Sequence, residues 1–352
     1  MAFTNLGNDP NPFASIAKVD PRTFRLLVDV DKHSPPQVWN GVLADLIAAN
    51  PIGPTRAARA FALLNTGIYD LWAAVDRTAS PVYGPSELFL PSEQLESAIH
   101  QLAARLLLQW FPGSKPQLDQ KLSDALQQPL SATLSETSLS TAVLQELEMM
   151  PALDPWVSGT PAIAPISNHE ITTWKPEHIP IDDAAGPIQK YLTPEWGTLS
   201  AFSTSDITQY RPAGPEPFLL VSTDVARLNL EAASLELLED WNTDGGSIKE
   251  AGTYEIHDKS NQEWMIGELI NPAFISQAQE IVDLQAGLTD EQKLIAEFWE
   301  NGAGTAFPPG QWMAIAGIAA QQRQLTLSEQ IKLFFSIGQG LGDASIAAWD
   351  AK

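Results

Sequence analysis

The chain has 352 residues, 20 of them basic and 43 acidic, for a formal net charge of −23. That balance excludes nucleic acid and anionic membrane surfaces as expected partners, because phosphate recognition needs clustered Lys and Arg. Apolar residues make up 44% and charged residues 18%, too apolar for disorder, and the absence of cysteine rules out disulfides and thiolate sites.

Residues 1–35 carry several Pro and Asn and no helical period, which reads as an irregular arm. The start, Met1-Ala2-Phe3-Thr4-Asn5, lacks the basic head and apolar stretch of a secretory leader, so the cytoplasm is the default expectation and the compartment is otherwise unknown. No apolar run reaches the eighteen or so residues of a membrane span. A helix is predicted from Pro36 to Ala49, with Val38, Trp39, Val42, Leu43 and Leu46 on one stripe, broken by Pro51-Ile52-Gly53-Pro54. Thr55 reads as the N-cap of a long helix to Asp76, whose apolar face is Phe61, Leu64, Ile68, Leu71 and Trp72. Further helices are expected over 91–110, 115–127 and 138–149.

The texture changes between 151 and 217, where 11 of the 27 prolines fall, a density no long helix tolerates. Trp156, Trp174, Trp196, Tyr191, Phe202 and Tyr210 lie in the same stretch, as anchors for a segment crossing a helical body. Helices are then expected over 222–242, 261–269 and 271–285. Thr289 with Gln292 forms a capping box for a helix to Glu300, Pro308-Pro309 starts another, and Thr326 with Glu329 opens a last helix over 327–350. Its buried face is expected to be Phe334, Ile337, Leu341, Ala344 and Ala348. With no convincing strand alternation, the expected class is all-α. The expected organisation is an N-terminal arm and helices (1–150), a Pro-rich irregular segment packed on the bundle (151–220) and C-terminal helices (221–352).

One internal echo stands out: Phe61, Gly67, Ile68 and Asp70 have the mutual spacing of Phe334, Gly340, Leu341 and Asp343. It fits either two helices packing alike in a repeated bundle or a chance likeness of Ala-rich helices.

Chemistry-bearing patterns are sparse. His169-Glu170 with His178 lacks the i, i+4 spacing of a helical zinc pair, and Pro176 and Pro180 deny it a helix, so no metal site is expected. No nucleophile elbow, phosphate loop or dinucleotide fingerprint occurs. Close acidic neighbours such as Asp182-Asp183 and Glu146-Glu148 are expected to be solvated. The terminal helix is the exception. Trp349 and Lys352, three residues apart, project from nearly one face of a helix lined with Ala, Gly and Ser. A cation beside an aromatic wall could hold an oxyanion there; a core Trp with a frayed Lys would look the same.

Several stretches resemble the bacterial vanadium-dependent haloperoxidases of the type 2 acid phosphatase superfamily. They are Trp39-Asn40, Gly53-Pro54-Thr55-Arg56-Ala57-Ala58-Arg59-Ala60, Ile68-Tyr69-Asp70-Leu71-Trp72-Ala73-Ala74, Leu192-Thr193-Pro194-Glu195-Trp196-Gly197, Tyr210-Arg211-Pro212, Phe298-Trp299 through Trp312, and Asp343 to Lys352. The resemblance implies a vanadate held by a Lys, two Arg, a Ser, a Gly amide and an axial His. Within it Lys352 matches the cage lysine, and so the catalytic and cofactor-binding position, and Trp349 a Trp flanking the halide pocket. The matching Arg, Ser and His are not in this sequence, and Asn301 stands where relatives carry an Asp. The resemblance therefore implies the N-terminal half of such a protein. Peroxide-dependent halide oxidation is expected if a second chain or segment supplies the rest. The alternatives are an acid phosphatase-type hydrolase, a non-catalytic helical binding or structural relative, and a homo-oligomer.

Overall fold

The computed structural model describes residues 34–50, 52–76, 78–84, 90–127, 138–153, 191–214 and 272–352, with short pieces between 176 and 189 and three strands between 247 and 265. Nine α-helices lie among these residues: α1 (Pro35–Ala49), α2 (Pro54–Asp76), α3 (Leu95–Trp110), α4 (Lys115–Leu126), α5 (Ser138–Met149), α6 (Pro272–Ala286), α7 (Asp290–Trp299), α8 (Phe307–Gln322) and α9 (Leu327–Ala351). The class is all-α and multi-helical. No described helix is long and apolar enough to cross a membrane.

The chain divides into two units. The first comprises Met1–Pro161, Leu192–Arg211 and Glu297–Lys352; the second comprises Ala162–Tyr191 and Pro212–Ala296. The second holds α6, most of α7 and a small antiparallel meander, β1 (Ser247–Glu250), β2 (Thr253–His257) and β3 (Glu263–Met265), paired in that order. The helix expected over 261–269 is thus replaced in part by a strand. Trp264 pairs opposite Ile256 and Met265 opposite Glu255, so cross-strand pairing outweighs the weak helical pattern of so short a stretch. The helix expected over 222–242 lies outside the described residues.

In the first unit the local signals work as physics requires. Pro35 and Pro36 occupy the first turn of α1, and Pro308 and Pro309 that of α8, where the missing N–H would have no partner anyway. Both capping boxes form: Thr289 with Gln292, and Thr326 with Glu329. Backbone and side-chain hydrogen bonds from Thr326 hold the Glu329 carboxyl below its ordinary range. Thr55 is not the N-cap of α2; the helix already begins at Pro54, and the buried Thr55 hydroxyl bonds Thr193 at 2.9 Å. Phe61, Leu64, Ile68, Leu71 and Trp72 are all buried as expected, and most of the rest of α2 is buried with them. A helix this apolar needs cover around most of its circumference.

α2 and α9 pack on one another, and here the echo in the sequence acquires a structural meaning. Residues 35–76 align without a gap on 308–349, each 273 positions from its counterpart. Identical pairs are Pro35/Pro308, Pro36/Pro309, Trp39/Trp312, Phe61/Phe334, Gly67/Gly340, Asp70/Asp343 and Ala74/Ala347. Helix boundaries follow: α1 ends at Ala49 and α8 at Gln322, while α2 begins at Pro54 and α9 at Leu327. The counterparts Thr66 and Gln339 hydrogen-bond each other at 2.5 Å. Tyr69 stacks on Phe335 at 4.0 Å, and the reciprocal pair, Ala62 and Gly342, is in contact too. Reciprocal contacts between counterparts are the mark of a twofold relation. The two helical hairpins are therefore repeats packed about a local axis near Thr66 and Gln339.

The buried stripe of α9 is Ile331, Phe334, Gly338, Gln339, Gly342, Asp343 and Ile346, while Ala344 and Ala348 face solvent, contrary to expectation. The reason is close approach rather than hydrophobicity. A side chain at Gly338 would stand 3.2 Å from the Ala62 Cα and the Phe61 carbonyl oxygen, so α9 turns Gly338 and Gly342, rather than Ala344 and Ala348, toward α2.

Candidate functional site

The last turn of α9 is held by the crossing segment. Trp196 is buried and its indole N–H donates to the Ser345 hydroxyl at 2.9 Å. Gly197 lies so close that a Cβ there would meet the Asp350 nitrogen at 2.5 Å, so only glycine lets the segment pass. Arg211 forks onto both carboxylate oxygens of Asp350, at 2.6 and 2.7 Å. That hydrogen-bonded pairing lowers the Asp350 carboxyl and raises the Arg211 guanidinium. Two turns back, the Asp343 carboxylate accepts backbone N–H bonds from Phe202 at 2.5 Å and Ser203 at 2.9 Å, with the Ser203 hydroxyl as a third donor.

Against this frame, Trp349 and Lys352 come together as the spacing predicts. The half-buried Trp349 donates its indole N–H to the Leu192 carbonyl at 2.8 Å, and the Lys352 ammonium lies 4.0 Å from the centroid of its ring. The result is a cation on an aromatic face, attracted by the ring quadrupole. The segment 192–211 thus covers one side of α9, with Lys352 exposed at its end.

The other sequence-level candidates fall elsewhere. His169 lies outside the described residues. His178 pairs through Nδ1 with the Gly186 carbonyl. His100 is in the core beside the Trp39 indole N–H, 2.8 Å from its Nδ1, and burial pushes it down to about 4, so it is neutral at ordinary pH. Asn301 is buried against Gln311. Among the described residues no group of three His, Cys, Asp or Glu is placed to hold a metal ion. Nor do these residues fit vanadate. The corner offers one free-standing lysine, its arginine is already matched by Asp350, and no described histidine ring bonds into it.

Two features escaped the sequence reading. The Arg211–Asp350 fork joins residues 139 apart, and nothing local announces it. Glu146, expected to be solvated, is fully buried and faces Asp70. Its position on the inward stripe of α5 with Val143 was the available signal.

Comparison with protein-family models, with curated proteins and with solved structures finds no match to this chain. The fold and site define a helical-bundle protein with an internal hairpin repeat and a cation-on-tryptophan corner.

Proposed function

We propose that this chain is the helical scaffold of a haloperoxidase-type protein, presenting Lys352 as one cation of an oxyanion site that a further polypeptide completes. The observation that carries this reading is the fixed terminal turn. Trp196, Gly197 and Arg211 all hold it, and Trp349 is pinned to Leu192, so the ammonium stands on a rigid platform. A preorganised cation with an apolar wall suits a tetrahedral anion such as vanadate or phosphate, and one cation alone does not retain it. Halide oxidation by peroxide, or phosphate-ester hydrolysis, then belongs to the completed assembly. A second reading, a purely structural or binding relative, draws on the cover that residues 192–211 give to α9.

The test is to isolate the protein from its source, determine its intact mass and its companions, and titrate the preparation with orthovanadate while following bromide oxidation. The scaffold reading expects vanadate-dependent activity from a preparation containing an Arg- and His-bearing polypeptide, lost in Lys352→Ala. A lone species near 38.2 kDa that neither binds vanadate nor oxidises bromide refutes it and leaves the structural reading.

A further inference from the structure

Away from the terminal corner lies a second cluster that the proposed function does not use. The side chain of Asp70, in the middle of α2, is 1% exposed and receives three backbone N–H bonds from one loop. Val82 donates to Oδ1 at 2.7 Å, and Tyr83 and Gly84 donate to Oδ2, each at 2.9 Å. Over the same loop sits Glu146 of α5, 0% exposed. Neither of its carboxyl oxygens has a hydrogen-bond donor, and Gly84 leaves just the room it occupies, since a Cβ there would collide with it.

A fully buried carboxyl without a donor calls for an explanation. The groups around it supply only one. α2 contributes Asp70, with Arg59 further along the helix; the loop contributes Tyr83; α3 carries His100 and Arg105; and Glu148, on α5 itself, is exposed. Of these, Asp70 is the group whose charge acts on Glu146 and the one that a protonated Glu146 carboxyl would hydrogen-bond. Two carboxylates cannot share a hydrogen bond unless one of them carries a proton. Among the described residues no third carboxylate or imidazole joins the pair, and three N–H dipoles already point at Asp70.

We propose that Asp70 and Glu146 share one proton that latches the 82–84 loop and α5 onto α2, and that losing it opens this corner of the first unit. Burial, and then the Asp70 charge, push the Glu146 carboxyl up to about 9. The sign follows directly. Between the ordinary carboxyl range and about 9 the folded chain keeps a proton that the unfolded chain has released, so this group weakens the fold as pH rises. Its share of the unfolding equilibrium constant grows about tenfold per pH unit. Above that range two like charges face each other in a dry site and the loop is released.

The test compares wild type with Glu146→Gln, whose amide can donate to Asp70 as the protonated acid does but cannot titrate. Wild type is expected to show the infrared band of a neutral carboxyl near neutral pH, missing from the variant. Its unfolding constant should rise with pH with one proton more slope than the variant's. Amide exchange at Val82, Tyr83 and Gly84 should accelerate beyond its intrinsic pH dependence above about 9 in wild type only. Absence of the neutral band, or equal slopes in the two proteins, overturns the proposal. So does loss of the band on adding calcium or magnesium with a gain in stability, which would make the pair a cation site. If Glu146→Gln fails to fold, the infrared band and exchange profile of wild type decide the matter alone.

Discussion

Gly338 and Gly340 sit two residues apart in α9, yet replacing each by alanine should act in opposite directions. Both substitutions relieve the helix of a glycine, which favours the folded state by about 1 kcal/mol. At Gly340 a Cβ meets nothing within 4 Å, so that gain stands unopposed. At Gly338 the same atom lies 3.2 Å from the Ala62 Cα and from the Phe61 carbonyl oxygen, and both belong to the α2 backbone. Backbone in a buried helix cannot swing aside as a side-chain tip can, so α9 must lift from α2 at the repeat axis. Overpacking of this kind costs about 1–3 kcal/mol. We therefore expect Gly340→Ala to raise the urea midpoint and Gly338→Ala to lower it, with a separation of about 1–3 kcal/mol at equal m-value. Equal shifts of the same sign would refute the view that glycine is required there by the α2–α9 contact.

Other outcomes follow from single contacts. His100 is neutral in the fold and charges in the unfolded chain, so acidification from about 6.5 toward 4 should remove up to about 3 kcal/mol of stability, a slope that His100→Gln should abolish in urea titrations at stepped pH. Asp343→Asn turns an acceptor of three bonds into a group with a donor facing donors, and should cost about 1–3 kcal/mol and speed amide exchange at Phe202 and Ser203. Arg211→Ala should loosen the last turn of α9 without moving the global unfolding midpoint, because an exposed ion pair orders its neighbours more than it stabilises a fold. Exchange protection near residue 350 would fall, and added salt would reproduce part of the effect in wild type.

The parts of this molecule that could be read from the chain are those set by local chemistry. Pro-Pro starts, capping boxes and three-four apolar spacing place α1, α2, α7 and α9, and the start of α8, within a residue or two. Trp349 beside Lys352 was legible because Lys352 directly follows the last turn of the helix that carries Trp349. What was not legible depends on partners far away in sequence. On α9 the helical spacing leads correctly through Phe334 and on to Ile337 and Leu341, which pack against the core, but it ends on Ala344 and Ala348, whereas the approach of the α2 backbone selects Gly338 and Gly342. Arg211 gave no local sign of meeting Asp350. Glu146 reads as one of 43 acidic residues until the loop that Asp70 gathers is seen to close over it.

The repeat also bears on how the protein is born. The hairpin that covers α2 is synthesised 273 residues after the one it covers. At typical elongation rates of 5–20 residues per second, that is a lag of roughly 14–55 s. Throughout that interval the face of α2 bearing Phe61, Ala62 and Asn65 has left the ribosome without its counterpart. The nascent chain therefore depends on α1, α3 and α5, or on a chaperone that tolerates an apolar helix, to keep that face from other chains until α9 arrives.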